Sequence, residues 1–153
     1  MKKGLGILVL FFLFIACGER KENLTTIVDN DRSSTELVGT WKLVYGDVLE
    51  NDSLTVKDVS TSDFIKIINR SHFAFFNQRR DTGKDFYGGA GTYTLEGNTY
   101  KETLNYTSVD EIRGHEFPFT IEIKGDTLVQ RGLEQIKEAG IERYIVEKYI
   151  RIE

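Results

Sequence analysis

The sequence predicts an all-β domain, an antiparallel up-and-down barrel of eight strands, with a β-sandwich as the alternative packing of the same strands. Three observations carry that expectation. Gly97-Asn98, a dipeptide suited to a two-residue hairpin turn, sits between two runs rich in Thr, Tyr and Leu. From Thr40 to Ile152 short alternating segments follow one another, each ended by Gly, Asn or Asp, with no sustained helical period. Leu37 to Glu153 is long enough for one domain and too short for two of ordinary size. Eight antiparallel strands form the smallest common closed barrel that still holds one small ligand, and closure removes the edges an open meander exposes.

The strands are expected in this order. Thr40–Tyr45 alternates, with Trp41, Leu43 and Tyr45 on one face, and Gly46-Asp47 ends it. The polar segment to Ser62 is compatible with a short helix, a strand or a loop. Phe64–Ile68 and His72–Phe76 form a hairpin around Asn69-Arg70-Ser71, with apolar residues on both faces and no clear inward set. Gln78–Gly88 is a charged loop. The Gly97-Asn98 hairpin then places Leu95 opposite Tyr100, Tyr93 opposite Glu102 and Gly91 opposite Leu104. Its inner face reads Tyr93, Leu95, Tyr100, Glu102, Leu104, Tyr106, and its outer face carries Thr, Lys, Glu and Asn.

Beyond Tyr106, a polar connection leads to Phe117–Lys124, where Phe117, Phe119, Ile121 and Ile123 alternate with polar residues. Gly125-Asp126 turns the chain, setting Ile123 opposite Leu128 and Ile121 opposite Gln130. Pro118, which lacks a backbone donor, belongs at a strand start or an unpaired edge. Leu133–Gly140 reads as one or two helical turns stopped by Gly140. Glu142–Ile152 closes the chain with Tyr144, Val146, Ile150 and Ile152 on one face, interrupted by Lys148.

The N-terminus carries an address. Lys2 and Lys3 precede an apolar run from Gly4 to Ala16, ended by Cys17. Thirteen helical residues reach only about 20 Å, short of a bilayer core of about 30 Å, so the run fits a signal peptide, residues 1–16, rather than a spanning helix. Phe14-Ile15-Ala16-Cys17 resembles the lipobox of bacterial lipoproteins, although Phe14 stands where leucine is usual. The resemblance implies that Cys17 becomes the lipid-modified first residue after cleavage; an ordinary signal peptide with a chance cysteine is the competing reading. Residues 17–36, polar after Cys17, then act as a tether to a membrane, with residues 37–153 as the barrel domain. The implied location is a bacterial cell envelope, with the outer membrane favoured.

Cys17 is the sole cysteine, which excludes an intrachain disulfide and a cysteine metal cluster. Loss of Lys2 and Lys3 with the leader takes the net charge from −4 to about −6. No Lys/Arg run marks a nucleic-acid footprint, since Arg79-Arg80 is offset by Asp81 and Asp85. The chain is read as a monomer without cofactor.

A family resemblance rests on two further stretches. Gly39-Thr40-Trp41 looks like the Gly-x-Trp opening of lipocalin-type barrels. Gly88–Leu95 with its return strand, together with Tyr149-Ile150-Arg151-Ile152, resembles small lipocalin-like lipoproteins of bacterial envelopes, a family largely of unassigned function. The resemblance implies that Trp41, entered through Gly39, plugs the barrel's closed end, with Arg151 or Lys148 packed over it. The C-terminal helix of true lipocalins is missing, so a ligand class does not transfer.

Glu102 is the acid most in need of explanation, because the hairpin register aims it inward beside Tyr93, and a buried carboxylate requires a partner. It is either a polar anchor for a ligand, with Tyr93, Gln130, Phe119 and Tyr45 as companions in the cup, or a structural residue that sits near the mouth in water or pairs with Lys148 or a tyrosine. His72 and His115, with Glu111 or Glu116, lack short metal-ligand spacing, and no metal site is expected. Asp110, Glu111, His115 and Glu116 fit a solvated loop better than an acid–base pair. The expected function is binding of a small apolar or amphipathic ligand by a membrane-tethered barrel. An interaction module of an envelope assembly is second, and a small barrel enzyme using Glu102 with a tyrosine is third.

Overall fold

A computed structural model describes residues 35–153. The expected signal peptide, Cys17 and all but the end of the tether lie outside the described residues. Nine strands follow one another: β1 (Gly39–Glu50), β2 (Ser53–Val56), β3 (Ser62–Ile68), β4 (His72–Arg79), β5 (Tyr87–Glu96), β6 (Thr99–Thr107), β7 (Glu116–Lys124), β8 (Thr127–Ile136) and β9 (Ile141–Arg151). Eight of them, β1 and β3 to β9, pair antiparallel in chain order, and β9 returns to β1 from Trp41↔Arg151 to Leu49↔Tyr144. That last pairing closes the barrel and decides against a sandwich.

The undecided segment after Asp47 is the ninth strand. β1 continues to Glu50, Asn51 and Asp52 turn with φ of 50° and 59°, and β2 pairs with the outer end of β1 from Glu50↔Ser53 to Asp47↔Val56. Asn and Asp tolerate this left-handed backbone better than most residues, which is why the turn forms without glycine. Lys57, just beyond β2, donates its backbone N–H to the Gly46 carbonyl at 2.8 Å.

The hairpin between β5 and β6 has the expected register at its turn, Leu95↔Tyr100 and Tyr93↔Glu102. Farther from the turn it slips. Ala90 pairs with Tyr106 and Thr92 with Thr103, so an extra residue of β6 faces Gly91. A Cβ on Gly91 would lie 1.8 Å from the Thr103 carbonyl oxygen, so only glycine fits against this bulge. The bulge turns Tyr106 outward, 69 % exposed, against the expected inner position.

Three more expectations are corrected. Leu133–Gly140 is not a helical segment: β8 runs to Ile136, and only Lys137–Ala139 forms a 3-10 turn, ended by Gly140 at φ 63°. The inward face of β9 is the opposite of the expected one. Ile145, Glu147 and Tyr149 are buried, while Tyr144, Ile150 and Ile152 are exposed. The alternative set Tyr144, Val146, Ile150, Ile152 is the more apolar, so period-2 hydrophobicity points the wrong way when the inner face carries a charge. Finally, Tyr45 leaves the inner face. The register of β1 with β9 shifts between Leu43 and Tyr45, and this bulge at Val44 sends Tyr45 out and brings Gly46 in.

The barrel has two ends. At the plugged end Trp41, Leu37, Ile68 and Phe73 are buried together, and Asn69 turns β3 into β4 by accepting the N–H groups of Ser71 and His72. At the other end lie the starts of β5, β7 and β9. Two 3-10 turns, 110–112 and 137–139, lie against each other there. Pro118 sits near the start of β7, beyond the ladder to β8, which begins only at Thr120.

Candidate functional site

The plugged end is built by three residues far apart in sequence. Trp41 is fully buried, and its indole N–H donates to the Leu37 carbonyl at 2.9 Å. The Arg151 guanidinium lies over the indole, 4.1 Å from the ring centroid, and donates to the Val38 carbonyl at 2.6 Å and to the Glu36 carbonyl. Gly39 leaves room for that guanidinium, since a Cβ there would sit 2.2 Å from Arg151 Nη1. Arg151 rather than Lys148 covers the tryptophan.

Between the plug and the far end the barrel encloses a cavity of about 370 Å³. Its walls are apolar: Leu104, Phe117, Phe119, Ile136 and Ile145 contribute, with Phe64 and Phe75 stacked at 5.5 Å. Glycines make space for this wall. A Cβ on Gly89 would meet Phe75 and Leu104 within 3 Å, and one on Gly132 would meet the Phe119 ring at 2.8 Å.

The floor is polar and buried. Lys66 of β3, Glu102 of β6, Gln130 of β8 and Glu147 of β9 are each at most 6 % exposed. Lys66 donates to Gln130 Oε1 at 2.8 Å and is in charge contact with Glu102 Oε1. Its ammonium also lies 5.3–5.9 Å from the ring centroids of Phe73, Tyr100 and Tyr149. Glu147 accepts from Lys57 at 2.5 Å and from the Tyr149 hydroxyl at 2.6 Å. The stem of Lys57 packs where the bulged-in Gly46 has no side chain, a Cβ there lying 2.8 Å from Lys57 Cδ. At the rim Arg143 donates to Glu134 at 2.5 Å.

The two buried carboxylates differ. Burial pushes Glu102 above its ordinary range, and Lys66 only partly offsets it. Glu147 suffers the same burial, yet Lys57 and Lys66 with two hydrogen bonds hold it below that range. The phenols of Tyr149 and Tyr100 are driven well up by burial and by the adjacent carboxylates, Glu147 and Glu102 respectively. The Tyr100 hydroxyl is buried beside Glu102 without an aligned hydrogen bond.

Of the expected lining residues, Glu102, Gln130 and Phe119 line the cavity. Tyr93 does not: its hydroxyl donates to the Asn69 carbonyl at 2.7 Å, and its ring packs on Tyr100 toward the plugged end. Tyr45 is outside, its hydroxyl on Asp47 at 2.7 Å. The partner of Glu102 is Lys66, not Lys148. Lys66, Glu147, Lys57 and Tyr149 are the floor residues that sequence reasoning missed. Lys66 was legible in principle, as the single charge breaking the run Phe64-Ile65-Lys66-Ile67-Ile68. His72 is exposed and bonds Ser71 at 2.8 Å, and among the described residues no three His, Cys, Asp or Glu side chains converge as a metal site.

A family model for a lipocalin-like domain matches residues 37–130. Two solved structures are similar. A lipocalin-like protein from Bacteroides uniformis is 17 % identical, with 76 % of this chain and 99 % of that chain covered and a TM-score of 0.49. An uncharacterized protein from Bacteroides eggerthii is 18 % identical, with 73 % of this chain and 98 % of that chain covered and a TM-score of 0.45. None of the curated proteins matches the sequence.

Proposed function

The chain belongs to the lipocalin-like domain family, and from that premise we propose that it is a lipid-anchored protein of a bacterial cell envelope whose barrel binds one small apolar or amphipathic molecule. The observation that carries the binding role is the cavity: about 370 Å³, walled by aliphatic and aromatic side chains, with a few convergent polar groups at its floor. Sites for small molecules have this size and this division of labour, apolar walls for affinity and sparse polar groups for orientation. The anchor rests on Met1–Cys17, with its basic start, short apolar run and lipobox-like Phe14-Ile15-Ala16-Cys17. An outer membrane is the favoured location. Leu37 is buried beside Trp41, so the chain enters the barrel at its plugged end. An upstream anchor would therefore join the barrel at the end opposite the cavity mouth.

Native mass spectrometry of the protein released from membranes tests the binding role, with a single small-molecule adduct expected. Cys17→Ala tests the anchor: the variant should lose the acyl mass and leave the membrane fraction. An unchanged fractionation refutes anchoring through Cys17. A role as an interaction module is the second reading, favoured by one observation. Leu54, Leu49, Tyr144 and Leu133 are cross-strand neighbours on β2, β1, β9 and β8, and each is more than 40 % exposed, forming an apolar row outside the mouth. Leu49→Glu separates the two roles, because it should abolish capture of a partner protein while leaving the cavity adduct intact.

A further inference from the structure

The floor carries information about the head group of the ligand, beyond the apolar character of the walls. Every charged side chain lining the cavity is matched by an opposite one: Lys66 with Glu102, Lys57 with Glu147, Arg143 with Glu134. The charged groups of the cavity wall are thus paired one for one. An ionised head group pushed among these residues adds a charge with no counter-charge left for it. In a site shielded from water such a charge costs more than most hydrogen bonds return.

What remains available is hydrogen bonding. Because Lys66 donates to Gln130 Oε1, the Gln130 amide nitrogen is left with two N–H groups and no partner among the described residues. Glu102, also on the cavity wall, has Lys66 as its ion-pair partner and the Tyr100 phenol beside it, with no further donor. A donor and an acceptor therefore lie on either side of Lys66, at the base of an apolar chamber. The chamber's 370 Å³ accommodates about a dozen water-sized groups at ~30 Å³ each.

Resting on the small-ligand role above, we propose that the ligand is an uncharged amphipathic molecule of about a dozen heavy atoms, whose hydroxyl or primary amide head accepts from the Gln130 amide and donates to Glu102. Fatty carboxylates and alkyl amines are rejected by charge rather than by size. A site that holds its polar groups for a hydrogen-bonding partner discriminates strongly against a ligand that cannot supply one or that brings an unmatched charge.

Four probes of equal chain length test this: decan-1-ol, decanamide, decanoate and decylammonium, titrated calorimetrically at neutral pH into the full lipidated chain in phospholipid nanodiscs, with empty discs subtracted. Decan-1-ol and decanamide should each bind as a single copy, about tenfold or more tighter than either ion. Decanoate or decylammonium binding as tightly as the neutral pair overturns the inference while the ligand-binding role stands. Binding by none of the four overturns that role itself. Two isosteric variants sharpen the result. Glu102→Gln leaves the floor with one excess positive charge and should shift the preference about tenfold toward decanoate. Gln130→Glu leaves one excess negative charge and should shift it toward decylammonium. Either variant weakening all four probes alike, with no change of preference between the two ions, would count against a head group at the floor.

Discussion

The two ends of the barrel solve opposite problems with the same strands. At the plugged end every polar group near Trp41 is spent on the protein itself: the indole N–H goes to Leu37, and the Arg151 guanidinium goes to the ring and the carbonyls of Val38 and Glu36. Toward the mouth, four polar side chains are buried around a space that none of the described residues fills. The first arrangement raises stability, since it buries a large aromatic with its hydrogen bond satisfied. The second lowers it, because two carboxylates and an ammonium are taken out of water, and their desolvation offsets what their ion pairs and hydrogen bonds return. Under the proposed function, a ligand uses this floor.

Breaking the plug should produce the largest effect. Trp41→Ala leaves a cavity among Leu37, Ile68 and Phe73 and removes the support of Arg151, and it should cost about 5 kcal/mol in denaturant unfolding. Lys66→Met comes next. It strands Glu102 in a buried site and leaves Gln130 Oε1 without its donor, for a loss of about 3–4 kcal/mol. The contrast between the ends sharpens when Glu102→Leu is added to Lys66→Met. Replacing both members of the buried pair with apolar groups should bring stability back to within about 1 kcal/mol of the native chain. No second substitution rescues Trp41→Ala in this way. A double variant no more stable than Lys66→Met alone would show that the floor, like the plug, is there for the fold.

The same contrast governs what could be read from the sequence. Gly39-Thr40-Trp41 is a local signal, and the hairpin turns Gly97-Asn98 and Gly125-Asp126 fix register through neighbouring residues. The closed architecture and the plug were therefore legible. The floor was only half legible, because its members come one to a strand and meet through closure. Glu102 and Gln130 were found because each lies close to a turn that sets its face. Glu147 was lost, because its strand has no such turn nearby and its outer face is the more apolar one. Tyr45 was misplaced by a bulge that an extra residue in β1 creates, and no residue type at Val44 announces it. Lys66 stands among isoleucines, and a pattern that equates inward with apolar assigns it to solvent.

Acid titration distinguishes the two floor carboxylates. Glu147 is held below the ordinary carboxylate value of 4.5, since Lys57, Lys66 and two hydrogen bonds outweigh burial. Its contribution to stability is present above 4.5 and is lost as pH falls toward its lower folded value. Glu102 is raised by burial, so its contribution has the opposite sign: it is present below 4.5 and is lost as pH rises through its folded value. Unfolding curves measured across the acid range should therefore diverge for the two glutamine variants. Glu147→Gln should lose less stability than the native chain on acidification below 4.5, and Glu102→Gln should lose less on the return toward neutrality. Parallel curves would mean that the two carboxylates share one environment.

The smallest effect belongs to a residue that pattern alone would have put in the cup. Tyr45 shares the alternation of Trp41 and Leu43, but the bulge turns it into solvent, where its hydroxyl meets Asp47. Tyr45→Ala removes an exposed hydrogen bond and some covered surface, so the unfolding midpoint should barely move. Binding of decan-1-ol should be unchanged, whereas Phe119→Ala at the cavity wall should weaken it. A Tyr45→Ala variant that loses binding as Phe119→Ala does would mean that β1 runs without its bulge, with Tyr45 turned inward. Gly46 would then point outward, the stem of Lys57 would lose the space it occupies, and the salt bridge to Glu147 would have to be remade from elsewhere.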